Sequence, residues 1–199
     1  MYDLVIKDGL IFDGTGAPRI RGDLGIANGV ITAMGRVNAS EAERVIDARG
    51  MHVAPGFVDL HTHYDAQVFW DPSLTPSAYH GVTTVIAGNC GFSIAPTRST
   101  GVELLARTLQ HVEDMSFDTL AAGVPWDEFE SFPQYLDAVE RRGVSLNYGC
   151  YVGHTATRLF VMGDDAYERA ATADELDAMT RVVAEAMDAG AMGFASSSS

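Results

Sequence analysis

Two histidines close a short apolar run: Ala54-Pro55-Gly56-Phe57-Val58-Asp59-Leu60-His61-Thr62-His63. On a strand, side chains repeat with period 2, so His61 and His63 share a face, with attachment points about 7 Å apart. Two imidazoles so placed can converge on one ion. A bare pair of this spacing is also compatible with core or surface histidines. Further candidate ligands follow, however. Gly81 leads into Val82-Thr83-Thr84-Val85-Ile86-Ala87, a run that reads as a strand buried on both faces. It ends in Gly88-Asn89-Cys90-Gly91, and a thiolate at Cys90 is a good zinc ligand. The metal candidates are therefore His61, His63 and Cys90. Taken alone, Cys90 would equally suit a small residue packed in a tight turn.

Other groups are weaker candidates. His154 follows a third strand-like run and could face a substrate, or simply bond to loop backbone. Asp65 and Asn89 stand beside the ligands as an outer acceptor and donor, although Asp65 would serve equally as a solvated loop residue. Asp59 alternates in register with the two histidines. Cys150 has no evident partner and reads as core, while His52, His80 and His111 share no spacing.

These residues need elements to carry them. Residues 2–7 read as a strand, an Asp8-Gly9 turn follows, and residues 10–12 form a second strand. Asn28-Gly29 joins two more in a type I′ hairpin. With 45–47 and 51–53, these make a small all-β, sandwich-like segment over residues 1–53. Over 54–199 the texture is strand, helix, strand. Thr100/Glu103, Ser131/Gln134 and Thr172/Glu175 have the spacing of capping boxes. Gly143 and Gly190 are placed as helix stops. Leu176, Met179, Val183 and Met187 form one apolar stripe. Strands are expected near 57–63, 82–87, 144–151 and 191–195. The fold class is α/β, the first half of a (β/α)8 barrel of about four units. A closed barrel needs about 250 residues, so the chain reads as part of a longer enzyme. The rival is a complete small protein with a four-stranded open sheet.

Composition narrows the partners. The net charge of −14 argues against nucleic acid or an anionic membrane. No run approaches the length of a membrane span, and no basic leader precedes the first strand. Two cysteines are too few for a disulfide scaffold, which makes the cytoplasm the default compartment.

The chain resembles the amidohydrolase superfamily, and within it the N-acyl-D-amino-acid deacylase (D-aminoacylase) group. The likeness rests on residues 2–9, on the 54–63 motif, and on His80-Gly81-Val82-Thr83-Thr84-Val85 leading into Gly88-Asn89-Cys90-Gly91-Phe92-Ser93. Val152-Gly153-His154, Arg158 and Val161-Met162-Gly163 extend it. The 54–63 motif is common to the superfamily, whereas the Asn89-Cys90-Gly91 region is narrower. The resemblance implies zinc-dependent hydrolysis of the amide of N-acyl-D-amino acids, the metal activating a water. It gives Cys90 the bridging role that a carboxylated lysine plays in many relatives, and residues 191–199 contain no lysine. The later histidine ligands and the catalytic aspartate are implied to lie beyond residue 199, so the isolated chain is expected to be inactive. The serines at 196–199 are not expected to replace them. Two other readings stand beside this one: a cyclic-amide hydrolase of the hydantoinase type, and a truncated chain acting as a binding or assembly module.

Overall fold

The computed structural model describes residues 1–197. Ser198 and Ser199, the end of the serine run, lie outside the described residues. The chain divides into two compact units, Met1–Gly56 and Phe57–Ser199.

The first unit is one five-stranded mixed sheet built on β1 (Tyr2–Ile11). β2 (Ile20–Ala27) runs antiparallel to β1, and β3 (Val30–Gly35) antiparallel to β2. β4 (Ala42–Asp47) and β5 (His52–Val53) both pair with β1 in parallel. Asn28 and Gly29 have φ of 52° and 74°, the conformation of the expected type I′ hairpin. The turn expected at Asp8-Gly9 is a bulge instead, within one ten-residue strand. Asp8 takes φ 58° where the register with β2 slips. The buried Asp23 carboxylate holds that bulge, accepting from the Asp8 and Val37 N–H groups and from the Lys7 ammonium at 2.7 Å.

In the second unit, β6 (Phe57–Asp59), β7 (Val82–Ala87) and β8 (Asn147–Cys150) form a parallel sheet with β7 in the middle. Val85, Ile86 and Ala87 are buried, as expected for a strand covered on both faces. The third strand is interrupted at Tyr151, after which β9 (Val152–Gly153) pairs in parallel with β10 (Phe194–Ala195). The Met192 N–H reaches the Cys150 carbonyl at 2.9 Å, so residues 192–195 run beside 150–153.

Helices fill the connections. They are α1 (Tyr64–Gln67), α2 (Thr75–Tyr79), α3 (Val102–Glu113), α4 (Phe117–Gly123), α5 (Phe132–Arg142), α6 (His154–Met162) and α7 (Ala173–Asp188). The capping boxes of α5 and α7 form as their sequences imply. That of α3 does not. Ser99–Gly101 makes a 3-10 turn ahead of it, Gly101 becomes the cap, and Glu103 pairs with Arg107 one turn on at 2.8 Å. Gly143 ends α5 in the left-handed region. The apolar stripe of α7 is covered only in part: Met179 is buried, while Leu176 and Met187 are exposed. The core gathers Phe69, Leu74, Val85, Ile94, Leu105, Leu109, Leu120, Phe132 and Tyr135 around β7.

Candidate metal centre

β6 stops at Asp59, two residues short of the first histidine, so strand pleating does not carry the two imidazoles. Local hydrogen bonds do. The Asp59 carboxylate accepts the His61 N–H at 3.2 Å. Thr62 turns inward and bonds the Ile86 carbonyl of β7 twice, through its N–H at 3.0 Å and its hydroxyl at 2.9 Å. His61 and His63 flank this buried anchor, with ring centroids 5.6 Å apart.

Cys90 arrives from the end of β7. Gly88, Cys90 and Gly91 have φ of 74°, 56° and 82°, a run of left-handed backbone that turns the chain back over the sheet end. A side chain at Gly88 would overlap the Tyr151 carbonyl oxygen, so only glycine fits. Asn89 is buried and its amide donates to the Ile86 and Thr62 carbonyls at 3.0 and 3.3 Å. It therefore ties the cysteine loop to the histidine loop through backbone, without pointing at a ligand atom. Left-handed geometry is unfavourable for a residue with a Cβ. Here it brings Cys90 Sγ to 3.1 Å from His61 Nε2.

His61, His63 and Cys90 each offer one ligand atom, and these atoms lie within 4.8 Å of one another. The donor set, two imidazoles and a thiol, is one that zinc takes. His63 Nδ1 is buried and, among the described residues, is the side-chain polar atom with no hydrogen-bond partner. A buried polar nitrogen without a partner is unfavourable unless something binds it. The residues present thus fit a metal ion. Burial lowers the His63 pKa, and His61 adds to this while Glu113 opposes it. The net result favours the neutral imidazole that metal binding requires.

Glu113, at the end of α3, was not legible as a site residue. Its carboxylate is 3.3 Å from His63 Nε2, across fifty residues of sequence, and no local spacing marks it.

Asp65 is fully buried one turn beyond the histidines. Its carboxylate accepts the Ile94 N–H at 2.8 Å, joining α1 to the segment after the cysteine loop. Burial pushes its pKa up to about 7, although the Ile94 bond pulls the other way. The Asp65 carbonyl accepts from the Tyr135 hydroxyl at 3.1 Å, and that hydroxyl meets Tyr148 at 2.6 Å. Cys150 is buried in the same layer, and burial pushes its thiol well up. Packing is its observed role.

His154 opens α6 and stands outside the three-ligand group. Its ring meets Phe194 edge-on, and it lines a polar hollow of about 210 Å³ with Phe92, Thr155, Arg158 and Tyr167. Burial lowers its pKa, and Arg158 adds to the effect.

Comparison with known proteins gives consistent matches. The model described as the amidohydrolase family matches residues 44–198. D-aminoacylase of Alcaligenes xylosoxydans xylosoxydans is 38% identical over 194 residues, 97% of this chain and 37% of the relative. A crystal structure of D-aminoacylase superposes with a TM-score of 0.83 at 36% identity, over 98% of this chain and 38% of that one. N-acyl-D-glutamate deacylase from Bordetella bronchiseptica, complexed with zinc and a phosphonate mimic of the tetrahedral intermediate, gives a TM-score of 0.79 at 36% identity. It covers 98% of this chain and 38% of that one. The chain thus spans well under half the length of the relatives it matches.

Proposed function

The chain belongs to the amidohydrolase family, and on that premise we propose that the protein carrying it hydrolyses the amide bond of N-acyl-D-amino acids with zinc. The observation that carries this reading is the convergence of His61, His63 and Cys90 at the ends of β6 and β7. Support for the substrate class comes from the named deacylases, which match over nearly the whole chain. Zinc bound there supplies a Lewis acid that polarises the acyl carbonyl and acidifies a water.

The chain's own residues prepare that site. Thr62 and Asn89 fix the two ligand loops to one strand end, so the donors converge before any ion arrives. Asp65 holds the segment after Cys90 from beneath. His154 and Arg158 border a neighbouring polar hollow, and we assign His154 to substrate contact there. The general base belongs to later residues of the full-length enzyme. In fold terms the proposal is the first half of a (β/α)8 barrel at 54–199, preceded by a small all-β segment at 1–53, which forms a single mixed sheet rather than the sandwich-like arrangement expected. The parallel order β6-β7-β8 with helical connections, and the two compact units, support it. No helix among the described residues is long and apolar enough to cross a membrane. We place the enzyme in the cytoplasm with a small-molecule substrate.

The test is turnover by the full-length, zinc-loaded protein. N-acetyl-D-amino acids should be hydrolysed, N-acetyl-L-amino acids poorly, and dihydrouracil or hydantoin not at all. Preferred opening of the cyclic amides would overturn the deacylase reading.

A further inference from the structure

We infer that Ser93 is a positioning residue that fixes His154 relative to Phe92 in the polar hollow of about 210 Å³, a role that rests on the substrate reading of that hollow above. The Tyr151 N–H donates to the Ala87 carbonyl of β7 at 2.9 Å, and the Val152 N–H donates the other way, to Gly193 at 3.0 Å. Backbone donors alternate sides along an extended strand, so the Gly153 N–H faces the β7 side again. β7 has already ended at Ala87. The Ser93 hydroxyl stands where the next strand carbonyl would be and accepts that N–H at 2.9 Å. Its own proton goes to the Ala95 carbonyl at 2.6 Å, which leaves the oxygen's lone pairs for Gly153. Ser93 and Gly153 are both buried, where an N–H without a partner is costly.

This joint is one residue from the hollow on both sides. Phe92 precedes Ser93, His154 follows Gly153, and both line the hollow with Thr155 and Arg158. A Cβ on Gly153 would lie 2.5 Å from the Gly91 carbonyl oxygen, so the loop that carries Cys90 rests directly on the residue before His154. The Thr157 hydroxyl donates to the Gly153 carbonyl at 2.8 Å and holds the same residue from the helix side. The cysteine loop has other anchors of its own. Asn89 ties one end to β7, and Asp65 holds Ile94 at the other. What Ser93 adds is the hydrogen bond from that loop to the residue ahead of His154.

The experiment uses the full-length, zinc-loaded protein and the N-acetyl-D-amino acid it hydrolyses fastest. Ser93→Ala should raise KM about 10- to 100-fold, the cost of a small misplacement, with kcat changed less and zinc content unchanged. In a His154→Ala background the same substitution should change KM less than about twofold, because residues that act as a unit are not additive. Equal fold-losses in the two backgrounds would reduce Ser93 to support of the fold and overturn the inference. Loss of zinc in Ser93→Ala would overturn it too, by moving the effect to Cys90. Ser93→Cys fills the same space with a weak acceptor and should fall between. It decides by the same cycle if Ser93→Ala does not fold. The His154 ring titration, followed by NMR, needs no turnover. Burial and Arg158 hold its pKa below the ordinary 6.5, and either Ser93 variant should let it rise. An unchanged titration overturns the inference. A parent that hydrolyses no N-acyl-D-amino acid sinks the deacylase reading instead, and the titration then decides by itself whether Ser93 positions His154.

Discussion

Thr62 and Ile86 are joined by two hydrogen bonds to one carbonyl oxygen, at 3.0 Å from the threonine N–H and 2.9 Å from its hydroxyl. This pair is the joint between the histidine loop and β7, and His61 and His63 hang on either side of it. Thr62→Val removes the hydroxyl bond and leaves the N–H bond. The expected loss is about 1 kcal/mol of stability, the net worth of one such bond. Urea denaturation measures it. Thr62→Ser, which keeps the hydroxyl, should lose less, and an equal or larger loss would point to methyl packing rather than the bond.

Gly88→Ala is predicted to be far more damaging than its small size suggests. It places a Cβ into the Tyr151 carbonyl while holding a φ of 74°. Gly29 has the same φ but open space around it. Gly29→Ala should therefore carry only the backbone penalty of about 1–2 kcal/mol. Gly88→Ala adds a clash with backbone that cannot move aside, and should exceed about 3 kcal/mol or abolish folding. Comparable thermal shifts for the two variants would contradict the packing argument.

The two cysteines should behave oppositely. Cys90→Ala in the full-length protein is expected to lose most bound zinc and nearly all turnover with little change in fold. Cys90→Asp, which keeps an anionic ligand, should retain more metal than Cys90→Ala. Cys150 is buried against Tyr151 and Gly88. Cys150→Ala should lower stability by about 1 kcal/mol and leave zinc content unchanged. Elemental analysis beside circular dichroism separates the cases. Full zinc in Cys90→Ala would remove the thiolate from the ligand set.

Asp23 sets an acid limit on the first unit. Burial alone would raise its pKa, but the Lys7 ammonium and the Val37 and Asp8 N–H groups outweigh that and hold it at about 2. The ordinary value is 3.8, so the folded form binds its proton less readily than the unfolded chain. Asp23 therefore contributes its full stabilisation above pH 3.8 and loses it as the pH falls toward about 2. The amount at stake is on the order of 2 kcal/mol. Asp23→Asn should lower stability at pH 7 and flatten the acid dependence in that window. An unchanged acid profile in the variant would assign the transition to other carboxylates.

Local signals in the chain were enough for much of this. Asn28-Gly29 demanded positive φ at both positions, and the hairpin follows. Ser131/Gln134 and Thr172/Glu175 close their capping boxes because both partners lie within one turn. The candidate trio of His61, His63 and Cys90 is legible because each residue sits just past a strongly patterned strand, and strand ends on one edge of a parallel sheet come together. Other features depended on contacts between distant segments. Whether Asp8-Gly9 made a turn or a bulge was decided by Asp23, which binds across the sheet. Thr100 lost its cap to a 3-10 turn, although its spacing matched that of the two boxes that formed. Pleating did not aim the histidines; two bonds from Thr62 did, after the strand had ended. Glu113 comes within 3.3 Å of His63 only through the tertiary packing of the end of α3. Periodicity and turn chemistry act over a few residues and can be read along the chain, but a carboxylate placed fifty residues away is positioned by packing alone.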